Sequence, residues 1–430
     1  MNLLIRNVRF INPYDSMDQL TDVKIINGRI QDVGFHLSGD EMEILDATGL
    51  VLAPGFIDMH VHLREPGFEY KETILTGMRA AAHGGFTAVA AMPNTNPVLD
   101  NPKMIELVLL KASSQGPISI LPIGAITKGL LGEQLTDMEA LVQSGAVAFS
   151  DDGMSVMNSE LMRQAMIRAN EQDKIVIDHC EDLSLTRNGV IHRGEISQEM
   201  GLEGIPSAAE EIMTARDILL AKEYGLPVHI AHVSTRDAVE MVRQAKKMGI
   251  KVSAEATPHH FSLTDQSMRR KDANYKVSPP LRSEMDRGAV VDGIIDGTID
   301  IIATDHAPHS EEEKQQSLQN APKGMIGLET CFAAINTFLI AQQKISLYQA
   351  IDMLTRIPHE RFKLPKTIGN PRMGKTNLVL LDLNIGWTVR KEDFYSKSSN
   401  SPFLGQYFNG KVMMTIAQGE MAMRDDQIKF

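Results

Sequence analysis

The sequence predicts an α/β protein: a (β/α)8 TIM barrel with a small composite β-sandwich domain built from both chain ends. Three observations carry that expectation. Eight short apolar runs of strand character cross the middle of the 430-residue chain, most of them separated by helical patterns. Most of the runs close on polar residues, as barrel strands do where they meet the active-site rim. Both chain ends instead alternate apolar and polar residues around Asn-Gly pairs, the strongest short hairpin signal.

In chain order, VKIINGRIQDVG (23–34) sets Asn27-Gly28 between alternating apolar positions. TNLVLLDL (376–383) and YFNGKVMMTIAQGEMAM (407–423) repeat that pattern near the other end, with a second Asn-Gly. Neither end has enough strands for a core of its own. The two are therefore expected to pair, residues 1–53 and 367–430 forming the small domain and 54–366 the barrel. The eight barrel runs are GFIDMHVHL, TAVAAMPN, ISILPIGAI, AVAFSDDG, KIVIDHCED, PVHIAHVS, KVSAEATPHH and IDIIATDHAPH. Between them, SELMRQAMIRANEQ (159–172) and STRDAVEMVRQAKKMG (234–249) have helical spacing. The second opens on Ser234 as N-cap and closes on Lys246, Lys247 and a glycine. A doubly wound sheet is the competing arrangement. It would more often begin with a glycine-rich phosphate turn, and none follows the first run.

The formal charge, 43 − 55 = −12, argues against nucleic acid or an anionic membrane as partner. No run of eighteen apolar residues could span a bilayer, and MNLLIRNVRFINPYDS lacks a signal peptide's apolar region. Cys180 and Cys331 are too few for a disulfide framework. A cytoplasmic protein is expected.

The polar residues at the run ends are His60 and His62, Asn94, Asp152, His179, His232 and Asp305. Side chains two apart on a strand share a face, so His60 and His62 project together, with Met59 and Val61 on the other side. Taken singly these residues have ordinary explanations. Asp151 and Asp152 before Gly153 suit a turn, and His179 or His232 alone would pass for a hydrogen-bonded core histidine. Taken together, four histidines and two carboxylates form the mixed donor set of Zn²⁺ or a similar divalent ion. Six ligands exceed one tetrahedral ion and suffice for two that share a bridge.

PGFIDMHVHLREPG, MPNTNP, SDDG, DHCED, HIAHVST, ATPHH, PPLR and ATDHAPH follow the order and approximate spacing of the amidohydrolase superfamily. Arg64 directly after the HxH pair, and aspartates at strand four, make the chain resemble the long-chain dihydroorotase family in particular. The resemblance covers nearly the whole chain, terminal β domain included. It implies that His60, His62 and Asp305 hold one metal and His179 and His232 the second, with Asp152 between them. Relatives acting on hydantoins and dihydropyrimidines usually bridge with a carboxylated lysine at strand four, and AVAFSDDG has none.

The implied activity is the reversible cyclisation of N-carbamoyl-L-aspartate to L-dihydroorotate plus water, in pyrimidine biosynthesis, with one or two zinc ions per chain. Opening such a ring needs activated water and a polarised carbonyl, which metal ions supply, and Asp305 is the implied proton shuttle. The substrate's unreactive carboxylate calls for a bidentate arginine. Arg64 fits, with Asn94 and His309 as the family's partners in that contact. Ser278, in KVSPPLR, stands where dihydroorotases commonly carry an asparagine that contacts the pyrimidine ring. Hydantoinase-type relatives often have serine there. Another cyclic-amide hydrolase (hydantoinase, dihydropyrimidinase or allantoinase) is thus the nearest alternative, and a non-catalytic scaffold relative the next. Relatives are often dimers, so a homodimer is an expected assembly.

The remaining features read as structural. The methionines are core filler, and Cys180 faces away from His179. His259 and His260 support the rim, and His229 lies on the face opposite His232 if the strand is regular. SEEEKQQ (310–316) begins a solvated helix or belongs to a lid over the site.

Overall fold

The computed structural model describes residues 1–39 and 41–430. Each of the eight expected runs contributes one strand: β1 (Phe56–Val61), β2 (Phe86–Ala91), β3 (Ser119–Ala125), β4 (Ala148–Ser150), β5 (Val176–Asp178), β6 (Val228–Ile230), β7 (Val252–Ala256) and β8 (Ile301–Ile302). They lie side by side in chain order, and every pair is parallel. The two edges meet beyond β8, where Val61 bridges His306 and the His62 amide donates to the His306 carbonyl at 2.8 Å. A (β/α)8 barrel results.

Parallel strands covered on both faces read as continuous apolar runs, and β1, β2 and β7 bury every residue. One set of side chains, among them Ile57, Met59, Ala88, Ala90, Ile123 and Ile177, packs with Phe362 and Leu364 inside the barrel. A second set, including Val89, Phe149, Val176 and Val228, meets the surrounding helices through Met78, Met162, Val239 and Ile294. Met59 was expected beside Val61, yet it joins Ile57 in the inner set. The pairing of β1 with β2 shifts register between Asp58 and Val61, which breaks strict alternation. The helix Ser159–Glu171 starts on Asn158, whose side chain accepts the amides of Glu160 and Leu161. In the helix Arg236–Lys247 the cap is Thr235, one residue after the expected Ser234.

The two chain ends form one mixed sheet. Strands Leu3–Asn12, Met17–Ile26, Arg29–Gly34, Glu43–Asp46 and Val51–Pro54 join Leu378–Thr388, Tyr407–Ala417, Glu420–Arg424 and Gln427–Ile428. The seam is antiparallel, Leu378–Leu381 on Val51–Pro54. Leu3, Ile5, Phe10, Leu52, Leu380 and Ile416 share an apolar cluster across it.

Asn27 (φ 52°) and Gly28 (φ 70°) form the expected hairpin turn, pairing Ile26 with Arg29; two positive φ values are what a type I′ turn requires. The second Asn-Gly does otherwise. Asn409 and Gly410 lie inside Tyr407–Ala417, and the chain reverses at Gln418-Gly419 instead. Gly410 is needed for close approach: a Cβ there would lie 2.7 Å from the Asn336 Nδ2, which donates to the Asn409 carbonyl at 2.9 Å. Among the described residues, no helix is long and apolar enough to cross a membrane.

Candidate metal centre and substrate cavity

The C-terminal ends of the barrel strands bring the six expected donors together. His60 Nε2 lies 3.3 Å from Asp152 Oδ1 and 3.5 Å from Asp305 Oδ1. His62 Nε2 lies 3.4 Å from Asp152 Oδ2 and 3.1 Å from Asp305 Oδ1. On the other side of Asp152, its Oδ1 is 3.4 Å from His179 Nδ1 and 3.7 Å from His232 Nε2. Those two imidazoles approach each other at 2.8 Å. Asp152 therefore stands between the two histidine pairs.

Donors around one tetrahedral ion with bonds of about 2.0–2.1 Å lie about 3.3–3.4 Å apart. The separations within the cluster fall around that value. Two of the facing atoms, His60 Nε2 and Asp152 Oδ1, are buried without a hydrogen-bond partner. Buried polar atoms are normally paired, so the arrangement fits a cation between them. His60–His62–Asp305 and His60–Asp152–His232 each have their donor atoms within 4.8 Å of one another.

Asp151 turns away. Its Oδ1 accepts the amides of Ile126 and Thr127 at 2.8 and 3.0 Å, and Oδ2 accepts the Thr127 hydroxyl. It secures the loop after β3.

Four cavity residues with a Cβ have positive φ: Arg64 (62°), Arg187 (29°), His232 (30°) and Asp305 (47°). Such conformations cost energy in residues with a Cβ and persist where the surroundings fix them, often at functional sites. They also explain a departure from strand alternation. β6 ends at Ile230, and the turn at His232 sends both His229 and His232 inward. His229 was expected on the opposite face.

Electrostatics bind the cluster further. Burial opposes a charged His60, but Asp152 and Glu255 outweigh it and raise its pKa well above the usual value. Burial likewise opposes a charged His179, yet the nearby Asp152 and Glu181 carboxylates push its pKa up to about 10. Asp305 is held below the ordinary carboxylate range: burial works against the anion, and the His62 hydrogen bond and His60 charge overcome it.

A cavity of about 340 Å³ opens over the cluster, with Arg64, Asn94, Ser278, His309 and Lys323 in its wall. Arg64 Nε donates to the Pro308 carbonyl at 3.1 Å. His309 Nε2 donates to the Lys323 carbonyl at 2.9 Å, leaving Nδ1 to accept from Lys71 Nζ at 3.3 Å. Burial and the Arg64 charge keep this imidazole neutral. Asn94 Oδ1 accepts from His62 Nδ1 at 2.9 Å, which directs the other ring nitrogen toward Asp305. The Ser278 hydroxyl donates to Glu181 Oε2 at 3.1 Å, and Glu181 also accepts from His179 Nε2 at 2.8 Å.

Several contributors escaped sequence reasoning. Glu255 contacts His60 and His229, and its signal was a charged residue inside the strand run KVSAEA. Glu210 accepts the Ser234 and Thr235 amides at 2.8 and 3.0 Å and pairs with Arg282 at 3.3 Å. It thereby ties the HVST and PPLR segments together. His259 and His260 are buried at the rim, and His260 bridges Thr257 and the Pro279 carbonyl. Cys180 faces Asp178 and Asp217, away from the cluster. Of the 310–316 segment, Glu311–Lys314 is a short helix that buries Lys314 against the Ala273 and Pro322 carbonyls.

A family model described as Dihydro-orotase-like matches residues 49–238. A dihydroorotase of Pelotomaculum thermopropionicum is 47% identical over 430 residues, covering 100% of each chain. The dihydroorotase of Bacillus subtilis is 43% identical over 429 residues, again with 100% of each chain covered. The chain belongs to the dihydroorotase family. As a dihydroorotase-family protein it is a cyclic amidohydrolase. Among solved structures, L-hydantoinase from Arthrobacter aurescens superposes with a TM-score of 0.89 at 22% identity, covering 100% of this chain and 97% of its own. Dihydropyrimidinase from Brevibacillus agri gives 0.87 at 24%, covering 100% and 96%. At such identities the likeness extends to the barrel and its accompanying sheet, and the dihydroorotase family shares that fold.

Proposed function

We propose that the enzyme is a dihydroorotase, interconverting N-carbamoyl-L-aspartate and L-dihydroorotate plus water in pyrimidine biosynthesis. The observation that carries this reading is the convergence of four imidazoles and two carboxylates beneath a cavity edged by Arg64. Relatives named dihydroorotase, 43–47% identical over nearly the full chain, support it. In this reading His60, His62 and Asp305 hold one Zn²⁺, His179 and His232 a second, and Asp152 lies between them. Metal ions held there supply Lewis acidity, polarising the reacting carbonyl and making water acidic enough to attack at neutral pH.

The chain's own groups do the rest. Arg64, with Asn94 and His309 beside it, receives the substrate's unreactive carboxylate and so fixes the ring over the cluster; to join that contact His309 gives its Nε2–H to the carboxylate in place of the Lys323 carbonyl. Asp305, kept ionised, accepts a proton from the attacking water and passes it to the leaving ring nitrogen. Closure runs the same transfers in reverse. It consumes one proton, since a dianion becomes a monoanion, so each unit fall in pH favours closure by about tenfold.

Ser278 favours one alternative, a hydantoin or dihydropyrimidine substrate. Against it, no lysine occurs in AVAFSDDG, where those relatives usually place their bridge. The proposal also takes in the division at 53/54 and 366/367, a cytoplasmic location and a homodimer. The buried, unpaired Cys180 and Cys331 are consistent with a reducing compartment.

The deciding experiment is metal content of the purified protein with turnover of dihydroorotate, hydantoin, dihydrouracil and allantoin, before and after chelation. Dihydroorotate turnover lost on chelation and restored by Zn²⁺ is expected. Bound metal with dihydroorotate the poorest of the four substrates would reject the assignment.

A further inference from the structure

Glu255 lies on β7, at 0% exposure, in the second-last position of the strand. A charge this deep is costly unless it is paired, and this one is paired several times. Its Oε1 accepts from His60 Nδ1 at 2.7 Å and lies 3.3 Å from the His232 backbone amide. Its Oε2 lies 3.1 Å from His229 Nε2, and His229 Nδ1 is 2.8 Å from Ser253 Oγ. Ser253, His229, Glu255 and His60 thus form one buried chain of hydrogen bonds across β7, β6 and β1.

The direction of that chain matters. A carboxylate only accepts, so the Glu255 contact commits His60 Nδ1 as a donor and makes Nε2, which faces Asp152 and Asp305, the nitrogen left to bind a metal. Residues that orient a metal-bound imidazole in this way also raise its basicity. The same oxygen meets the amide of His232, whose left-handed backbone aims the neighbouring imidazole into the cluster.

We infer that Glu255, braced by His229, is a positioning residue that sets the ring nitrogen of His60 and the backbone of His232 for metal binding at both halves of the cluster. This inference rests on the metal reading given above. A buried carboxylate that merely fills space would affect folding and leave metal affinity alone.

The test uses full-length protein stripped of metal, as wild type, Glu255→Gln and His229→Gln. Zn²⁺ affinity is read by competition with a chromophoric chelator, the visible spectrum with Co²⁺ in place of zinc, and melting of the metal-free protein. For Glu255→Gln the expected result is a 10–100-fold loss of Zn²⁺ affinity and a changed Co²⁺ spectrum, with metal-free melting close to wild type. His229→Gln should show a smaller loss of affinity. A folded Glu255→Gln protein with wild-type affinity and spectrum overturns the inference. If that variant does not fold, His229→Gln decides: unchanged affinity overturns the inference and weakened affinity sustains it. A wild type that binds neither Zn²⁺ nor Co²⁺ would instead remove the metal reading itself.

Discussion

Asp305 combines a left-handed backbone with contacts to two histidines, and asparagine is among the few side chains that tolerate that conformation. Asp305→Asn should therefore keep the fold, while losing the anion that accepts the proton. Turnover of dihydroorotate is expected to fall by about 10²–10⁴-fold, with an unchanged circular dichroism spectrum; retained turnover would take Asp305 out of the mechanism. The residues that cluster around Asp305 were legible in the sequence because each stands where an apolar run ends. Their partners were harder to see. His229 looked like the outward neighbour of His232, and only the backbone turn at His232 brings both inside. Glu181 and Lys323 come from separate loops, and no periodicity links them to Ser278. Family resemblance is what singles out Asp152; adjacent side chains on a strand point to opposite faces, and Asp151 indeed turns away.

Among the elements, the helix Ile74–His83 shows how a terminus can be held by charge. His83 Nδ1 contacts Glu329 at 2.6 Å and Nε2 contacts Asp426 at 3.4 Å, joining the helix to two distant segments. Burial opposes the imidazolium, but Asp426 and Glu329 prevail and push its pKa up to about 9. A raised folded-state pKa gives stability that is complete below the unfolded value near 6.5 and fades as pH rises through about 9. His83→Gln should accordingly cost on the order of 2 kcal/mol at pH 6, allowing for the half-exposed Asp426, and much less at pH 10. Thermal melts at both pH values would test this, and an equal cost at each would exclude the ion pair as its source. Strands were more legible than turns. All eight barrel strands follow from burial on both faces, which imprints a continuous apolar run. Asn409-Gly410 misled because the same dipeptide that forms a turn also admits the Asn336 amide against a strand, and only tertiary contact distinguishes the two.

At the scale of the molecule, the terminal sheet is a joint product of segments more than three hundred residues apart in the chain. Without Leu378–Ile428, the strand Val51–Pro54 loses its antiparallel partner, and Leu3, Ile5 and Phe10 lose Leu380 and Ile416 from their cluster. A chain ending at residue 376 is expected to be largely insoluble, and co-expression of 377–430 should recover part of it, as measured by soluble fraction. Full solubility of the shortened chain would show the sheet to be dispensable. The same seam has a consequence for synthesis on the ribosome. Leu3–Pro54 emerges early, but its closing strand begins only at Leu378, a delay of roughly 16–65 s at about 5–20 residues per second. Throughout that interval the nascent chain carries an unclosed strand edge beside a growing barrel, and this is when a chaperone would have the most to shield.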